Sequence, residues 1–277
     1  MQPVRIVAVM TVHNRRETTE RCLQLLDVAS AGLDVPRIIV DDGSTDGTSE
    51  MLARTRRDGD VVVQGSGELY WAGGMRRGLA ELPSLEPYDH VLMLNDDTEL
   101  RPEALAILLA TADGRLDRVV VGQLVDPVSR AVTYGGYRRS SRWRPMSFTQ
   151  AIDPDDGPLD GMNANAVLVG RDAYRRVGGL SETFTHGMAD YDFAIRANRL
   201  GIEVLLGDDW VGECARNPVD GTWRDRRLTR RERLRHMLQP TGVPPVEWAI
   251  FCWRSGGVAG LPYITQPFRT LIKPAAK

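Results

Sequence analysis

Cysteine is scarce in this chain of 277 residues. The three cysteines, Cys22, Cys214 and Cys252, stand far apart and are odd in number. Such a set builds neither a disulfide framework nor a paired-cysteine metal knuckle. We therefore expect the protein to fold in a reducing compartment, for which the cytosol is the default.

The chain also lacks an excess of charge of either sign and a long apolar run. Thirty-five basic residues against thirty-seven acidic ones give a net charge of -2, so no overall field attracts nucleic acid. Residues 1–5 do not lead into the apolar core of a signal peptide, and no stretch approaches the roughly 20 apolar residues of a membrane span. These absences predict a cytoplasmic protein that has no nucleic-acid partner and holds charged ligands through local contacts.

What the chain does have is a regular alternation of β-rich runs and helical stretches. A hydrophobic content of 42% and a charged content of 26% are typical of one globular domain with an appendage, and exclude collagen, disorder and coiled coil. Strands are predicted at 4–10, 37–40, 60–63 and 90–94, and helices at 16–29, 49–57, 75–82 and 103–112. This alternation predicts an α/β fold, with a mostly parallel sheet covered by helices on both faces. Ligands of such sheets bind beyond the carboxyl ends of the strands.

The second half departs from this pattern. Short strands and a polar loop follow residue 119, and the α/β alternation returns between residues 161 and 206. After about residue 213 the composition shifts to an arginine-rich helix and an aromatic, proline-punctuated tail. We therefore predict a domain over residues 1–216, with halves of about 1–118 and 119–216, and a helical C-terminal extension over 217–277.

Paired carboxylates, Asp96 and Asp97, follow the fourth predicted strand. Two adjacent anions in a half-buried turn repel each other unless a cation or hydrogen-bond donors compensate. Mg²⁺ or Mn²⁺ suits such a pair, because these ions take one or two protein carboxylates and leave other positions to water and phosphates. A turn that caps the next helix is the alternative, and the motif alone does not decide between them.

A second acidic pair, Asp41 and Asp42, ends the second predicted strand. Capping of the next helix accounts for the polar residues 44–46 but not for the pair. A phosphatase of the haloacid type needs an aspartate two residues after its nucleophile, where these two strand ends have Gly43 and Thr98. That function is therefore excluded at both strand ends.

A third acidic pair, Asp190 and Asp192, stands at the start of the helix predicted over 190–200. Two residues apart on a helix, these carboxylates do not face the same way. An i,i+4 ion pair with Arg196 accounts for Asp192. Asp190 is left as the candidate general base.

Together and in this order, the three acidic pairs resemble the motifs of family 2 glycosyltransferases with the GT-A fold, over roughly residues 4–210. The matching segments are the opening strand and turn at 9–15, the second block at 40–48, the metal motif at 95–97, an acceptor-side segment at 161–165 with 177–180, and the ED-x-D block at 189–192 with Arg196. The segment 67–78 is similar to the third block of rhamnosyltransferase-like members. The metal motif departs from the DxD pattern, since it reads Asp-Asp-Thr here.

The resemblance implies a site for a nucleotide diphosphate-sugar. The residues implied to bind the nucleotide are Thr11, His13, Asn14, Arg15, Asp41, Asp42, Gly74, Arg77 and Asp96. Asp42 would accept a hydrogen bond from the base, and His13 stands where an aromatic residue often stacks. Asp97 would hold Mn²⁺ or Mg²⁺. Arg77 or its neighbour Arg76 would pair with phosphates, although a solvated helix face is an equal alternative for one of the two.

The resemblance also implies an acceptor side, with Asn163, Asn165 and Asp192, and a catalytic role for Asp190 in deprotonating the acceptor hydroxyl. The diphosphate leaving group needs a cation to take its developing charge. A carboxylate base on the opposite side of the sugar then delivers the attacking oxygen in line. Inversion at the anomeric carbon follows, with no covalent sugar–enzyme intermediate.

One departure from the family concerns the metal site. Many relatives carry a histidine just after the last strand, in the stretch matching 211–218, which has none here. Water, Cys214 or a residue of the extension would complete the site instead. His186 is a candidate for some other polar role, with a structural turn as the alternative.

The extension has seven arginines and two acidic residues between residues 224 and 235. A helix there would place Leu228, Leu234 and Leu238 on one face and a basic surface opposite. One interpretation is a solvated helix, and another is contact with anionic lipid or a lipid-diphosphate acceptor, supported by five aromatic residues between 248 and 268. Packing on the domain or a homodimer contact would account for the same aromatics.

The sequence thus predicts an inverting, metal-dependent glycosyltransferase of the hexosyltransferase type. Its donor would be a dTDP- or UDP-linked sugar, and its acceptor a carbohydrate or lipid-linked hydroxyl in the synthesis of cell-surface polysaccharide, glycolipid or a glycosylated metabolite. The alternative is a nucleotide-sugar-binding or scaffold protein of the same fold without turnover. A sugar-phosphate nucleotidyltransferase is disfavoured, because it needs a glycine-rich loop where residues 11–15 contain no glycine.

Overall fold

The computed structural model describes residues 4–141 and 143–272. Its strands are β1 (Ile6–Val12), β2 (Arg37–Asp41), β3 (Val61–Gln64), β4 (His90–Leu94), β5 (Glu99–Leu100), β6 (Val119–Val125), β7 (Val132–Tyr134), β8 (Gly136–Arg139), β9 (Phe148–Gln150), β10 (Gly161–Met162), β11 (Ala166–Gly170) and β12 (Val204–Glu213). Its α-helices are α1 (Arg16–Ala29), α2 (Thr48–Thr55), α3 (Tyr70–Leu79), α4 (Ala104–Ala112), α5 (Arg171–Val177), α6 (Ala189–Arg199), α7 (Arg230–Met237), α8 (Pro245–Gly256) and α9 (Gln266–Ile272). Short 3-10 helices lie at Leu82–Leu85, Pro154–Asp156 and Gly257–Tyr263.

The main sheet has the strand order β3-β2-β1-β4-β11-β6-β12-β5, with β7 beside β6. The strands β1, β2, β3 and β4 pair in parallel, and β6 and β12 run in the same direction. The reversed strand β11 is inserted between β4 and β6. The start of β11 therefore meets the carboxyl end of β4, where the amide of Asn95 donates to the carbonyl of Asn165 at 2.9 Å.

Helices cover both faces of this sheet, as predicted. Alternate residues of β1 face opposite sides: Val7 and Val9 join the core beneath α3, α5 and α6, while Ile6 and Met10 join the core beneath α1, α2 and α4. A strand that is buried on both faces has a continuous run of apolar residues, and β1 has this pattern. A second sheet of three antiparallel strands, β10-β8-β9, packs outside it.

The helix α3 begins at Tyr70, five residues before the predicted start. Gly73 and Gly74 lie inside its first turns, and glycine weakens a helical pattern. Close packing requires glycine at position 74, because a Cβ there would lie 2.0 Å from the Thr11 hydroxyl oxygen. The glycine thus lets α3 pack directly on the end of β1.

The extension is helical, but its arginine-rich helix begins at Arg230, later than the predicted start near residue 224. A capping box between Thr229 and Glu232 starts α7. Leu228 lies before α7; Leu234 and Leu238, one helical turn apart, are exposed, while Met237 is buried together with Arg233. The Arg233 guanidinium is stabilised by the carbonyls of residues 223 and 270 instead of by water.

The core of the extension is α8, which packs on α6 of the domain. Phe251 is buried, and its ring meets those of Phe184 and Tyr191 edge-on. No helix among the described residues is both long and apolar enough to cross a membrane. Residues 1–3 of the predicted domain and 273–277 of the predicted extension lie outside the described residues.

Candidate active site

A cavity of about 470 Å³ opens at the sheet edge where β1, β2 and β4 end and β11 begins. Eight of the predicted site residues line it: Thr11, His13, Arg15, Asp42, Asp96, Asp97, Asn165 and Asp190. Trp71 and His186 line it as well, and the extension contributes Asn217 and Thr241. The structure thus brings the three acidic motifs to one cavity.

One wall of the cavity is organised by Asp42, which is 4% exposed. Its carboxylate accepts hydrogen bonds from the amides of Gly67, Leu69 and Tyr70 at 2.8, 2.9 and 3.1 Å. These bonds tie the end of β2 to the start of α3. Asp42 therefore builds the loop as well as facing the ligand space.

His13 is fixed beside Asp42. Its Nδ1 lies 2.6 Å from the carbonyl oxygen of Asp42, and a carbonyl only accepts, so Nδ1 carries the proton. Its Nε2 then accepts from the side-chain amide of Asn14 at 3.1 Å. Both ring nitrogens are engaged, and the imidazole forms a rigid part of the cavity wall.

Asn14 and Asp41 are placed behind this wall, outside the cavity lining. Asn14 has a left-handed backbone, with φ of 52°, and its side-chain oxygen accepts from the amide of Thr45 at 2.7 Å. Asp41 is fully buried and accepts from the amide of Ser44 and the hydroxyl of Ser49. In this structure both residues shape the two strand-end loops.

A second wall holds the carboxylates that follow β4. The Nη1 group of Arg15 donates to Asp96 at 3.0 Å and to Asp97 at 2.8 Å. Burial raises the pKa of Asp96 to about 6, with the guanidinium of Arg15 opposing the rise. The compensating cation expected beside an acidic pair is thus supplied, in this structure, by an arginine.

These carboxylates are the residues that could hold a metal. Cys214 stands nearby, with its sulfur 3.7 Å from Asp97, and burial raises the pKa of the thiol to about 12, so the thiol is protonated in the metal-free site. Within the described residues, no three His, Cys, Asp or Glu side chains converge as a complete ligand set. Two oxygen donors fit a Mg²⁺ or Mn²⁺ ion that takes its remaining ligands from water and phosphate.

The third wall carries Asp190, in the first turn of α6. Its carboxylate accepts from the amides of Tyr191 at 2.9 Å and Ala164 at 3.4 Å. Burial raises the pKa of Asp190 to about 6, although these amides and the side chain of Asn163 lower it in part. A carboxylate with a pKa near 6 is mostly ionised at neutral pH and more basic than an exposed aspartate.

Asp192 points away from the cavity. It is fully buried and accepts from the Nε of Arg196 at 2.8 Å, which confirms the i,i+4 pair, and from Arg254 of α8 at 3.0 Å. Asn163, which was also expected on the acceptor side, lies behind the lining and accepts from the hydroxyl of Tyr137. Of the three expected residues, Asn165 is the one that reaches the cavity.

The arginine pair of α3 lies outside the cavity. Arg77 is paired with Glu81 on the outer surface of the helix. Arg76 donates to the carbonyls of Ser181 and Phe184 at 2.9 and 2.7 Å. These positions do not support the predicted phosphate contact, and Arg15 is the arginine that lines the cavity.

The extension holds the loop that precedes Asp190. Glu247 accepts from the amide and hydroxyl of Thr185, and Arg254 donates to the hydroxyls of Ser181 and Thr183. We call these contacts of Glu247 and Arg254, together with the Arg254–Asp192 pair, the α8 clamp. The α8 clamp fixes the loop 181–187 over the cavity.

His186 lies in this loop and faces the cavity. Its Nδ1 accepts from the amide of Trp71 at 3.4 Å, and burial lowers its pKa although Glu247 opposes the change. A neutral ring with Nδ1 engaged has its proton on Nε2. The sequence analysis did not name Trp71, Asn217 and Thr241 as lining residues. Trp71 lies in the segment 67–78 and Asn217 in the stretch 211–218, both of which the resemblance marks, whereas no motif marks Thr241.

The comparisons with known proteins agree with this architecture. The family model "Glycosyl transferase family 2" matches residues 7–178. A curated relative, N-acetylglucosaminyl-diphospho-decaprenol L-rhamnosyltransferase of Mycobacterium tuberculosis, is 25% identical over 206 residues. That alignment spans 66% of this chain and 66% of the relative.

Solved structures show the same fold. A Pyrobaculum calidifontis mannosyltransferase, PcManGT, in complex with GDP-Man and Mn²⁺, has a TM-score of 0.61 and 16% identity, covering 97% of this chain and 75% of its own. GalNAc-T7 with UDP, GalNAc and Mn²⁺ has a TM-score of 0.58 and 12% identity, and the match covers 77% of this chain and 43% of that one. S. aureus TarS has a TM-score of 0.56 and 12% identity, and the match covers 96% of this chain and 72% of that one. The fold is that of the GT-A glycosyltransferases, and because the family model covers more than half of the chain, the protein belongs to glycosyl transferase family 2.

Proposed function

We propose that this protein is an inverting glycosyltransferase that moves a sugar from a nucleotide diphosphate-sugar to the hydroxyl of a lipid-linked carbohydrate. One observation carries the proposal: a single cavity is lined by Asp42, by the pair Asp96 and Asp97, and by Asp190. These carboxylates come from separate elements and lie on separate walls. The arrangement supplies a nucleoside wall, a diphosphate wall and a base.

The donor would lie along the ends of β1, β2 and β4. Thr11, His13 and Asp42 form the nucleoside wall, and the engaged ring of His13 offers a fixed flat surface. Arg15 would pair with the diphosphate, since a guanidinium matches phosphate oxygens. Burial alone would lower the pKa of Arg15, but the charges of Asp96 and Asp97 outweigh it and keep the guanidinium protonated.

Asp97, with Asp96 beside it, would hold Mn²⁺ or Mg²⁺. The ion, when bound, supplies positive charge to the leaving diphosphate. Two of the similar solved structures contain Mn²⁺, which supports a divalent ion but does not distinguish it from Mg²⁺. Arg15 shares the same two carboxylates, so this chain brings a second positive charge of its own to the diphosphate wall.

Asp190 would take the proton of the acceptor hydroxyl at its carboxylate oxygen. The acceptor oxygen then forms a bond to the anomeric carbon as the bond to the diphosphate breaks. An attack from the side opposite the diphosphate would be in line and would invert the configuration, and the position of Asp190 on a different element from Asp96 and Asp97 supports this proposal. The loop 181–187 and the extension close the acceptor side.

The relatives indicate the class of substrates. The M. tuberculosis protein is named for an L-rhamnosyl transfer to a lipid diphosphate-linked N-acetylglucosamine. We therefore favour a dTDP- or UDP-linked donor and a lipid-linked acceptor, and a cytoplasmic protein that works at the inner face of the membrane.

A substrate panel tests this proposal. The protein is incubated with nucleotide sugars, a prenyl-diphospho-N-acetylglucosamine acceptor and Mn²⁺ or Mg²⁺, and products are identified by mass spectrometry. We expect glycosylated acceptor with one donor class, and an anomeric configuration by NMR that is opposite to that of the donor. Retention of configuration would contradict the base assignment of Asp190.

A protein that binds nucleotide sugars without turnover is the second candidate. It is favoured by the pairing of Arg15 with both carboxylates and by Cys214 near the place of the family's histidine. Calorimetry with nucleoside diphosphates separates the two candidates: binding without product for any donor and acceptor of the panel would support the second one.

A further inference from the structure

The near-neutral net charge of the chain hides a strong separation of charge. Residues 217–277 carry nine arginines and two lysines against four acidic residues, a net charge of +7. The preceding 216 residues carry a net charge of -9. Such asymmetry is typical of a segment that meets a polyanion, such as a membrane surface or a nucleic acid.

Some arginines of the extension have structural partners. Arg227 pairs with two aspartates, Arg233 is buried against carbonyl groups, and Arg254 belongs to the α8 clamp. Others are exposed, and the described residues give them no ion pair: Arg226, Arg231, Arg235 and Arg269. We call these four residues the arginine group.

Large apolar side chains are exposed in the same extension. Val246 and Trp253, 72% and 54% exposed, are seven residues apart and so share one face of α8, opposite the buried Phe251. Val258 and Leu261 lie in the 3-10 helix after α8 and are 74% and 45% exposed, and Phe268 of α9 is 37% exposed. We call these five residues the apolar group.

The two groups belong to one packed unit. The guanidinium of Arg233 in α7 donates to the carbonyl of Thr270 in α9, and the indole of Trp248 in α8 donates to the carbonyl of Tyr263. Between α7 and α8 the chain passes Thr241, which lines the catalytic cavity. The extension therefore carries exposed arginines and exposed apolar side chains on the same packed unit that contributes Thr241 to the cavity lining.

We propose that the apolar group and the arginine group dock the protein on an anionic phospholipid membrane. Apolar side chains that enter the headgroup region, flanked by arginines that attract anionic lipid, are the known physical basis of peripheral binding. A second copy of the chain fits less well, because two faces of the same positive sign repel each other. Nucleic acid would bind the arginines but gives no reason for exposed Val246, Trp253 and Val258.

The docking itself does not depend on the transfer reaction, whereas its purpose, the delivery of a lipid-linked acceptor to the cavity, rests on the proposed function. A membrane beside Thr241 would present the sugar of such an acceptor near the loop 181–187. The apolar group would thus enter the headgroup region, and the cavity would receive the sugar that a lipid-linked acceptor exposes there.

Vesicle co-sedimentation tests the docking. The intact chain is mixed with vesicles of phosphatidylglycerol and phosphatidylcholine, or of phosphatidylcholine alone, at low and high salt. We expect binding to the anionic vesicles at low salt and weaker binding at high salt. The double variant R231Q/R235Q should lower the partition coefficient by about five-fold for each arginine removed.

The variants W253E and V258E should abolish binding, and V128E is the matched control, since Val128 is 90% exposed in the domain outside the extension. Circular dichroism checks that each variant is folded. Equal binding to both vesicle types, or unchanged binding by W253E and V258E together, would overturn the proposal. So would a dimer, seen by light scattering, that W253E dissociates, or a complex with RNA that R231Q/R235Q abolishes while W253E does not.

A water-soluble, short-chain acceptor separates this proposal from the proposed function. W253E and V258E should keep their turnover with that acceptor, because the apolar group does not line the cavity. Loss of vesicle binding with retained turnover supports the docking, whereas docking without turnover by the intact chain would leave the docking standing and contradict the proposed function.

Discussion

The nucleotide wall and the acceptor wall of the cavity are built in different ways. The nucleotide wall consists of strand ends, and its carboxylates are held by amides and by Arg15 from neighbouring loops of one sheet. The acceptor wall consists of the loop 181–187 and α6, and the extension holds it from outside through the α8 clamp. The donor side is therefore fixed by the sheet, while the acceptor side depends on a segment beyond the family match.

The largest expected effect separates the base from the donor site. Asp190→Asn keeps the size of the side chain but cannot take a proton, so we expect kcat to fall by about 10²- to 10⁴-fold. Donor affinity should be unchanged, since the donor contacts lie on the other wall. Steady-state kinetics and calorimetry measure the two quantities, and Asp153→Asn, in an exposed loop, is the matched control. Near-normal turnover would move the base elsewhere, with His186 as the next candidate, since Asp192 does not line the cavity.

A second variant tests the donor side alone. Asp97→Ala should remove the metal-dependent part of nucleoside diphosphate binding, an effect of at least roughly the 10- to 100-fold seen when a metal ligand loses its supporting partner. Calorimetry with Mn²⁺ and with EDTA measures it. Equal affinity of the unmodified protein under both conditions would show that Arg15, and not a metal, balances the diphosphate.

The pH dependence follows from the raised pKa of Asp190. As pH falls through about 6 the base becomes protonated, so kcat at saturating donor should fall by about ten-fold between pH 7 and pH 5. The same rise in pKa means that ionised Asp190 costs stability above pH 6, so Asp190→Asn should unfold at a higher temperature at pH 7 than the unmodified protein. If the Asp190→Asn variant showed the same fall in kcat between pH 7 and pH 5, a group other than Asp190 would be responsible for that fall.

The smallest expected effect concerns the α8 clamp. Arg254→Met leaves buried Asp192 with one partner, Arg196, and frees the hydroxyls of Ser181 and Thr183. We expect a loss of roughly 1–2 kcal/mol of stability and a fall of up to about ten-fold in kcat/KM for the acceptor, with donor affinity unchanged. Thermal unfolding and acceptor titration test this, with Arg226→Met as the control. An equal loss of donor affinity would remove the distinction between the two walls.

The sequence predicted the sheet, its two covered faces and the acidic strand ends, because these features are local. Asp96 and Asp97 directly follow an apolar strand, and Asp192 pairs with Arg196 one helical turn away. The place of Thr241 in the cavity lining was not predictable, because it arises where distant segments meet. Hydropathy also did not indicate that Arg233 is buried, since it does not foresee that carbonyl groups satisfy the guanidinium.

The position of Trp71 offers a way to measure ligand binding in the cavity. Its indole N–H donates to the side-chain oxygen of Asn95 at 2.8 Å, and among the tryptophans of the described residues it is the one that lines the cavity. Indole emission responds to the polarity of its surroundings. Ligand entering the cavity should therefore change the intrinsic fluorescence of the unlabelled protein, and Trp71→Phe identifies the part of the signal that comes from the cavity.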